Sequence, residues 1–176
     1  MKQVFLLRHA LAEDRELFSE TGLDDSLRPL IPRGKKKLRH LVRALSSEFS
    51  DIDLLVTSPL LRAKETALIV KEICRLERME EAIELSPEFS PELFFSWLEA
   101  HSSEFEKVML VGHEPWLGDF AGQLLGLEPG SKAIRFKKSG AAAFKMHSWN
   151  RGGGELRWLV QRALFKQPLL PVVGGK

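Results

Sequence analysis

The first apolar run of the chain is short and stops on charged residues. Positions 4–7 (VFLL) are all apolar and strand-forming, a pattern that predicts a strand buried on both faces of a parallel sheet. Arg8 and His9 follow immediately. Because open α/β sheets bind ligands beyond the carboxyl ends of their strands, we expect these two side chains to belong to a functional site.

A second run repeats this form. The segment DIDLLVTSP predicts a buried strand over 52–57, followed by a helix with Ser58 as its N-cap and Pro59 in its first turn. Arg62 then falls at the end of that turn. Since helical side chains lean toward the N-terminus of their helix, the guanidinium of Arg62 can reach the end of the strand.

A third run, KVMLVGH, predicts a strand that ends on His113, with a helix over 115–126 opened by Pro115. If the three strands are parallel neighbours, Arg8, His9, Arg62 and His113 meet at one edge of the sheet. Two guanidiniums and two imidazoles around one point form an anion site, and planar arginine forks match the oxygens of a phosphate.

The remaining pattern completes an alternation of strands and helices. Helical spacing of apolar residues predicts helices over 34–48 and 91–104, whereas 11–34 is a long polar connection broken by glycine and proline. Further strands, antiparallel in part, are predicted over 82–86, 133–140, 141–149 and 155–164. This alternation predicts the α/β class.

Length and composition agree with a single globular unit. The 176 residues, 44% hydrophobic and 28% charged, suffice for one α/β domain, which we place at 1–165 ahead of an irregular tail at 166–176. The lone Cys74 excludes an internal disulfide, and we expect it to be buried.

The charge balance excludes some partners. A formal net charge of +2 is too small to indicate nucleic acid, but it suits an anionic ligand held by a few local cations. We find neither a signal peptide nor a membrane span, and expect a cytoplasmic monomer without membrane contact.

Three segments resemble a known family. Arg8-His9-Ala10 resembles the RHG signature of the histidine phosphatase superfamily, also called phosphoglycerate-mutase-like, and SPLLRAKET and VGHEP resemble its second-arginine and second-histidine segments. RHALAE and DSLRPLIPRG resemble the SixA-type phosphohistidine phosphatases. Ala10 replaces the usual glycine, so the backbone there is not expected to need a positive φ. The resemblance implies a three-layer α/β/α sandwich with a mostly parallel central sheet.

The resemblance also implies catalytic roles. Neutral His9 would attack phosphorus and form a phosphohistidine intermediate, while Arg8, Arg62 and His113 would bind the phosphoryl oxygens. No metal or other cofactor is expected, because the arginines supply the positive charge. A purely structural alternative for Arg62 is an ion pair with Glu65 on the helix surface.

The general acid is left open. Glu13, Asp25 and Glu114 are nearby candidates, although SixA-type members lack an obvious acid. Asp25 and Arg28, in DSLRP, resemble pocket residues of that type. We therefore expect Asp25, Arg28 and Glu114 to be substrate contacts.

These features predict a metal-independent phosphatase of the SixA type that acts on a phosphorylated protein carrying phosphohistidine or on a small phosphorylated compound. One alternative is a small-molecule phosphomonoesterase of the same superfamily. Another is a non-catalytic module that binds phosphate. A mutase fits less well because the chain lacks large insertions.

Overall fold

A six-stranded mixed sheet runs through the computed structural model, which describes residues 1–161. In chain order, the strands are β1 (Gln3–Arg8), β2 (Leu54–Thr57), β3 (Met79–Glu81), β4 (Lys107–Gly112), β5 (Ala141–Met146) and β6 (Gly154–Val160). Their order in the sheet is β3-β2-β4-β1-β5-β6. The first four of these neighbours are parallel, and β5 and β6 are antiparallel additions beside β1.

Helices cover both faces of this sheet. In chain order, they are α1 (Arg15–Ser19), α2 (Pro32–Ala44), α3 (Ser46–Phe49), α4 (Leu61–Cys74), α5 (Glu92–Ala100) and α6 (Trp116–Leu124). Two short 3₁₀ turns occur at Asp25–Leu27 and Ile83–Leu85. Among residues 1–161, no helix combines the length and the apolar character that a membrane span requires.

The alternation of side chains along β1 separates two apolar cores. Leu6 belongs to the cluster that contains Phe120 of α6, whereas its neighbour Leu7 belongs to the cluster that contains Leu41 of α2. All four side chains are completely buried. The strand is therefore covered on both faces, and the predicted α/β/α sandwich is confirmed.

The predicted strand over 82–86 is wrong. The strand in this region, β3, ends at Glu81, and Ile83–Leu85 form a 3₁₀ turn in which the Leu85 amide donates to the Ala82 carbonyl. Within 82–86, the pairing of β3 with β2 continues only at Ala82, whose amide donates to the carbonyl of Thr57 at 3.0 Å.

The predicted strand over 133–140 is also wrong, because this segment is irregular. Side chains satisfy its backbone instead of a neighbouring strand. The amide of Phe136 donates to Glu114, and the amide of Lys137 donates to Gln161. The two antiparallel strands predicted after it are present as β5 and β6.

The start of α4 differs from the prediction. The helix begins at Leu61 with Leu60 as its N-cap, so Arg62 is its second residue and Ser58 does not cap it. The hydroxyl of Ser58 lies 2.9 Å from Nε2 of His113. The residue that follows β2 therefore contacts His113.

The predicted domain boundary at 165, the tail at 166–176 and the last positions of the strand predicted over 155–164 lie outside the described residues. Cys74 is buried as predicted, and burial raises the pKa of its thiol to about 11.

Close packing of α2 against the chain that follows β1 yields a stability prediction. A Cβ on Gly34 would overlap the carbonyl oxygen of Leu11. We expect Gly34→Ala to lower the free energy of unfolding by about 1–3 kcal/mol, despite alanine's better helix propensity. Denaturant titration measures this change. Lys36→Ala, at an exposed position of the same helix, is the control, and equal stability of the two variants would contradict the packing argument.

Candidate active site

The register of the parallel strands aligns the residues that follow them. Arg8 of β1 lies opposite Gly112 of β4, and Thr57 of β2 lies opposite Val111 of β4. The pairing extends one step further, since the amide of His9 donates to the carbonyl of Gly112 at 3.0 Å. The residues after the three strands therefore emerge side by side at one edge of the sheet.

Two histidines lie together at this edge. The rings of His9 and His113 have centroids 5.0 Å apart and are tilted by 50°. They are 3% and 2% exposed, respectively. The structure thus brings together imidazoles that are separated by more than one hundred positions in the sequence.

Hydrogen bonding defines the proton position on His9. Its Nδ1 lies 2.8 Å from the carbonyl oxygen of Ala10. A carbonyl only accepts, so Nδ1 carries the proton and donates it. Neutral His9 therefore presents the lone pair of Nε2.

Helix α4 supports the backbone beside His9. The amide of Ala10 donates to Oγ1 of Thr66 at 3.0 Å, and the Thr66 hydroxyl donates to the carbonyl of Arg62 at 2.7 Å. The positive-φ residues among 1–161 do not include Ala10, so alanine serves in place of glycine without strain.

Lys138 is a site residue that the sequence reasoning missed. Its Nζ lies 3.1 Å from Nε2 of His9. The lysine belongs to the irregular segment that was predicted to be a strand, where it follows another lysine and no motif distinguishes it. Only the return of this segment to the end of β1, where the amide of Ser139 donates to the carbonyl of His9, brings it into the site.

Arg62 is anchored by the long connection after β1. Its guanidinium donates to the carbonyl of Asp25 at 2.9 Å and pairs with the Asp25 carboxylate at 3.2 Å. The same carboxylate accepts from Nε of Arg28 at 2.8 Å. Arg62 is 5% exposed, so the alternative of a surface pair with Glu65 is wrong. Glu65 instead pairs with Lys35 of α2.

Arg8 is held by the irregular segment before β5. One of its terminal nitrogens donates to the carbonyl of Phe136 at 2.6 Å. The amide of Phe136 donates to Glu114 at 2.7 Å. The contact that Glu114 makes is therefore with the segment that orients Arg8. Glu13 is exposed, and its carbonyl accepts from Arg28 at 2.8 Å.

Burial and neighbouring cations keep both histidines neutral. Burial, followed by the charge of Lys138, lowers the pKa of His9 far below its ordinary value. Burial and the charge of Arg62 lower the pKa of His113 to about 3. Burial and Arg8 lower the pKa of Lys138 to about 8.

The pKa values of the two carboxylates, Asp25 and Glu114, are shifted in opposite directions. Burial alone would raise the pKa of Asp25, but the hydrogen bond from Arg28 and the charge of Arg62 outweigh it and hold the pKa below its ordinary value. Burial raises the pKa of Glu114. Asp25 is accordingly ionised at neutral pH.

Several buried polar atoms of the cluster have no hydrogen-bond partner within residues 1–161, namely Nε of Arg8, Nε of Arg62 and Nδ1 of His113. Each guanidinium Nε–H is a donor, and buried donors are ordinarily paired. Within residues 1–161, the two guanidiniums therefore keep donors for which the protein supplies no acceptor. Across the same residues, no three His, Cys, Asp or Glu side chains are grouped to hold a metal ion.

Comparison with known proteins matches the chain to one family. The family model for the histidine phosphatase superfamily (branch 1) matches residues 4–89. An uncharacterized protein of Picosynechococcus sp. (strain ATCC 27264 / PCC 7002 / PR-6) is 30% identical over 156 residues, covering 84% of this chain and 92% of the relative. The phosphohistidine phosphatase SixA of Escherichia coli (strain K12) is 28% identical over 158 residues, covering 89% and 91% of the two chains.

A solved structure is similar over the same extent. The structure of the protein histidine phosphatase SixA complexed with tungstate superposes with a TM-score of 0.77 at 27% identity, covering 93% of this chain and 99% of that one.

The low pKa of His113 predicts a pH dependence of stability. An unfolded histidine titrates near 6.5 and the folded one near 3, so the unfolded chain binds more protons between these values. Stability therefore falls as the pH falls through this window, by about 1.4 kcal/mol per pH unit for each such histidine. His113→Gln should remove one such contribution when unfolding is measured between about pH 6.5 and about pH 5.

His40→Gln is the matched control, because the His40 side chain is exposed in the folded and unfolded chain alike. We expect it to leave the slope unchanged. A His113→Gln variant with the wild-type slope would contradict the description of His113 as buried and neutral.

Proposed function

The chain belongs to the histidine phosphatase superfamily and is a phosphatase, and from that premise we propose that it hydrolyses phosphohistidine on a protein through a covalent intermediate on His9. The observation that carries this proposal is the lone pair on Nε2 of a neutral, buried His9 that lies amid cationic side chains. A nucleophile and an anion site lie together there.

The protonation of His9 suits nucleophilic attack. Nε2 can attack phosphorus in line while Nδ1 keeps its hydrogen bond to the Ala10 carbonyl. This bond stabilises the positive charge that the ring acquires in the phosphoenzyme. Water then attacks the phosphorus and releases phosphate, which restores the neutral ring.

The surrounding donors suit the transferring group. Phosphoryl transfer spreads negative charge over three equatorial oxygens, so catalysis depends on fixed positive donors around them. Arg8, Arg62 and His113 are buried or half-buried, and each has a side-chain nitrogen without a partner in the described part of the chain. We assign these three residues to the phosphoryl oxygens.

The rim residues support substrate binding. Asp25 keeps 36% of its side chain exposed while it orients both Arg62 and Arg28. We place Asp25 and Arg28 at the substrate-facing rim and give them no proton-transfer role, because the Asp25 carboxylate is ionised. Glu114, which is expected from the sequence to contact substrate, has a positioning role in this proposal, through its hydrogen bond to the segment that contacts Arg8.

The relatives support the substrate class. The E. coli relative is a phosphohistidine phosphatase, and the structure similar to this chain holds tungstate, a tetrahedral oxyanion like phosphate. The specific form of the proposal is a monomeric, cytoplasmic enzyme that acts on phosphohistidine carried by a protein.

Trapping the intermediate tests the role of His9. Rapid quench after mixing with a labelled phosphodonor should show phosphate on the wild-type protein that is labile to acid and stable to base. His9→Ala should show neither this label nor turnover, whereas His40→Gln should show both. A labelled His9→Ala variant would contradict the assignment.

The same preparations decide between substrate classes. We expect a phosphohistidine protein and phosphoramidate to be hydrolysed faster than sugar phosphates. Faster turnover of alkyl phosphates would favour the phosphomonoesterase, and phosphate binding without turnover would favour the non-catalytic module.

Loss of a phosphoryl ligand has a characteristic magnitude. Arg62→Met should lower kcat by about 10²- to 10³-fold, because one transition-state donor is removed. Arg43→Met, on the exposed face of α2, is the matched control and should keep wild-type kcat. Steady-state kinetics with phosphoramidate measures both, and a loss of less than about tenfold in Arg62→Met would contradict the proposed role.

A further inference from the structure

Lys138 occupies the position that phosphorus must take. With Nδ1 protonated, the His9 ring has a single lone pair in its plane, on Nε2. Nζ of Lys138 lies 3.1 Å from that nitrogen and donates to it. In-line attack uses the same lone pair, so an incoming phosphoryl group displaces the ammonium.

The displaced ammonium has a restricted range of positions. Its neighbours Ser139 and Phe136 tie the segment to the carbonyl of His9 and to Glu114, so the side chain moves on a fixed base. The nearby guanidiniums repel it, while the phosphoryl group and the departing atom attract it. Both attractions draw it toward the phosphoryl group and the bond that breaks.

We propose that Lys138 is a catalytic residue of this reaction, whose ammonium gives a proton to the leaving atom and whose amine takes a proton from the attacking water. The proposal rests on the phosphatase activity proposed above and supplies its missing general acid. It concerns leaving groups that need a proton to depart.

The two steps balance. In the first, the Nε2–P bond forms as the bond from phosphorus to the leaving nitrogen or oxygen breaks, and the ammonium proton moves to that leaving atom. In the second, a water oxygen bonds to phosphorus as the Nε2–P bond breaks, and a water proton moves to the Lys138 amine. Lys138 is therefore an ammonium again at the end of the cycle.

The other titratable groups near the site are poorly suited to this transfer. Asp25 is ionised and bound by Arg28 and Arg62, and Glu114 is bound to the backbone of Phe136. His113 is neutral and lies 2.9 Å from Ser58. Within residues 1–161, Lys138 is the cation placed against the reacting nitrogen of His9.

Charges around Lys138 adjust it for proton transfer. Burial lowers its pKa, and the charges of Arg8, Arg28 and Arg62 lower it further, whereas Asp25 raises it, for a result of about 8. A group that titrates close to neutral pH can both give and take a proton. His9 and His113, the two facing imidazoles, are neutral and do not compete for the proton.

Variants at position 138 test the proposal against a series of aryl phosphates. Phenyl phosphate needs a proton for its leaving oxygen, whereas 2,4-dinitrophenyl phosphate leaves readily as an anion. Lys138→Met should lower kcat/KM for phenyl phosphate by about 10²- to 10⁴-fold and for the dinitrophenyl ester by less than about tenfold. Lys138→Arg keeps the charge but not the transferable proton, so it should resemble Lys138→Met.

The pH profile supplies a second readout. Because the acid form of Lys138 is required, wild-type kcat/KM for phenyl phosphate should fall as the pH rises through about 8. Lys138→Met should lack this alkaline limb. Lys137→Met, the exposed neighbouring lysine, should keep both the limb and the wild-type rates.

Equal losses on both esters, or rescue by Lys138→Arg, would reduce Lys138 to a source of charge and overturn the proposal. Wild-type rates in Lys138→Met would overturn it as well. The phosphohistidine trap on His9 separates these failures from that of the proposed function, since it requires no lysine and uses the dinitrophenyl ester as phosphodonor.

Discussion

Repulsion between buried and half-buried cations is the constraint on which this site depends. Arg8, Arg62 and Lys138 lie around one point at the end of β1, where burial lowers the pKa of all three. Within residues 1–161, Asp25 beside Arg62 and Glu114 near Arg8 offset part of this charge, and the Phe136 carbonyl accepts a hydrogen bond from Arg8. An anion bound between them would relieve this repulsion, so the arrangement favours an oxyanion ligand.

The sheet makes this arrangement possible because it is covered on both sides. Strands β1, β2 and β4 are buried between the two apolar cores, which fixes their register and thus the relative positions of the residues that follow them. A shift of one residue would exchange the two faces of a strand and bury the wrong side chains. The register that packs the two cores therefore also sets the positions of the site residues.

Two irregular segments supply the remaining contacts of the site. The connection after β1 supplies Asp25 to Arg62, and the segment before β5 supplies Phe136 to Arg8 and Lys138 to His9. Both segments are held by side chains as well as by backbone pairing. Residues outside the strands and α-helices therefore contact three of the side chains that meet at this edge, namely Arg62, Arg8 and His9.

The sequence by itself determined the buried parallel strands and the residues that end them, since continuous apolar runs and the charges that stop them are local patterns. Arg8, His9, Arg62 and His113 were identified for that reason. Only the tertiary structure decided that 133–140 is irregular, that Ser58 faces His113 and that Lys138 contacts His9. Hydrogen bonds between residues distant in the chain govern these features, and no local periodicity encodes such bonds.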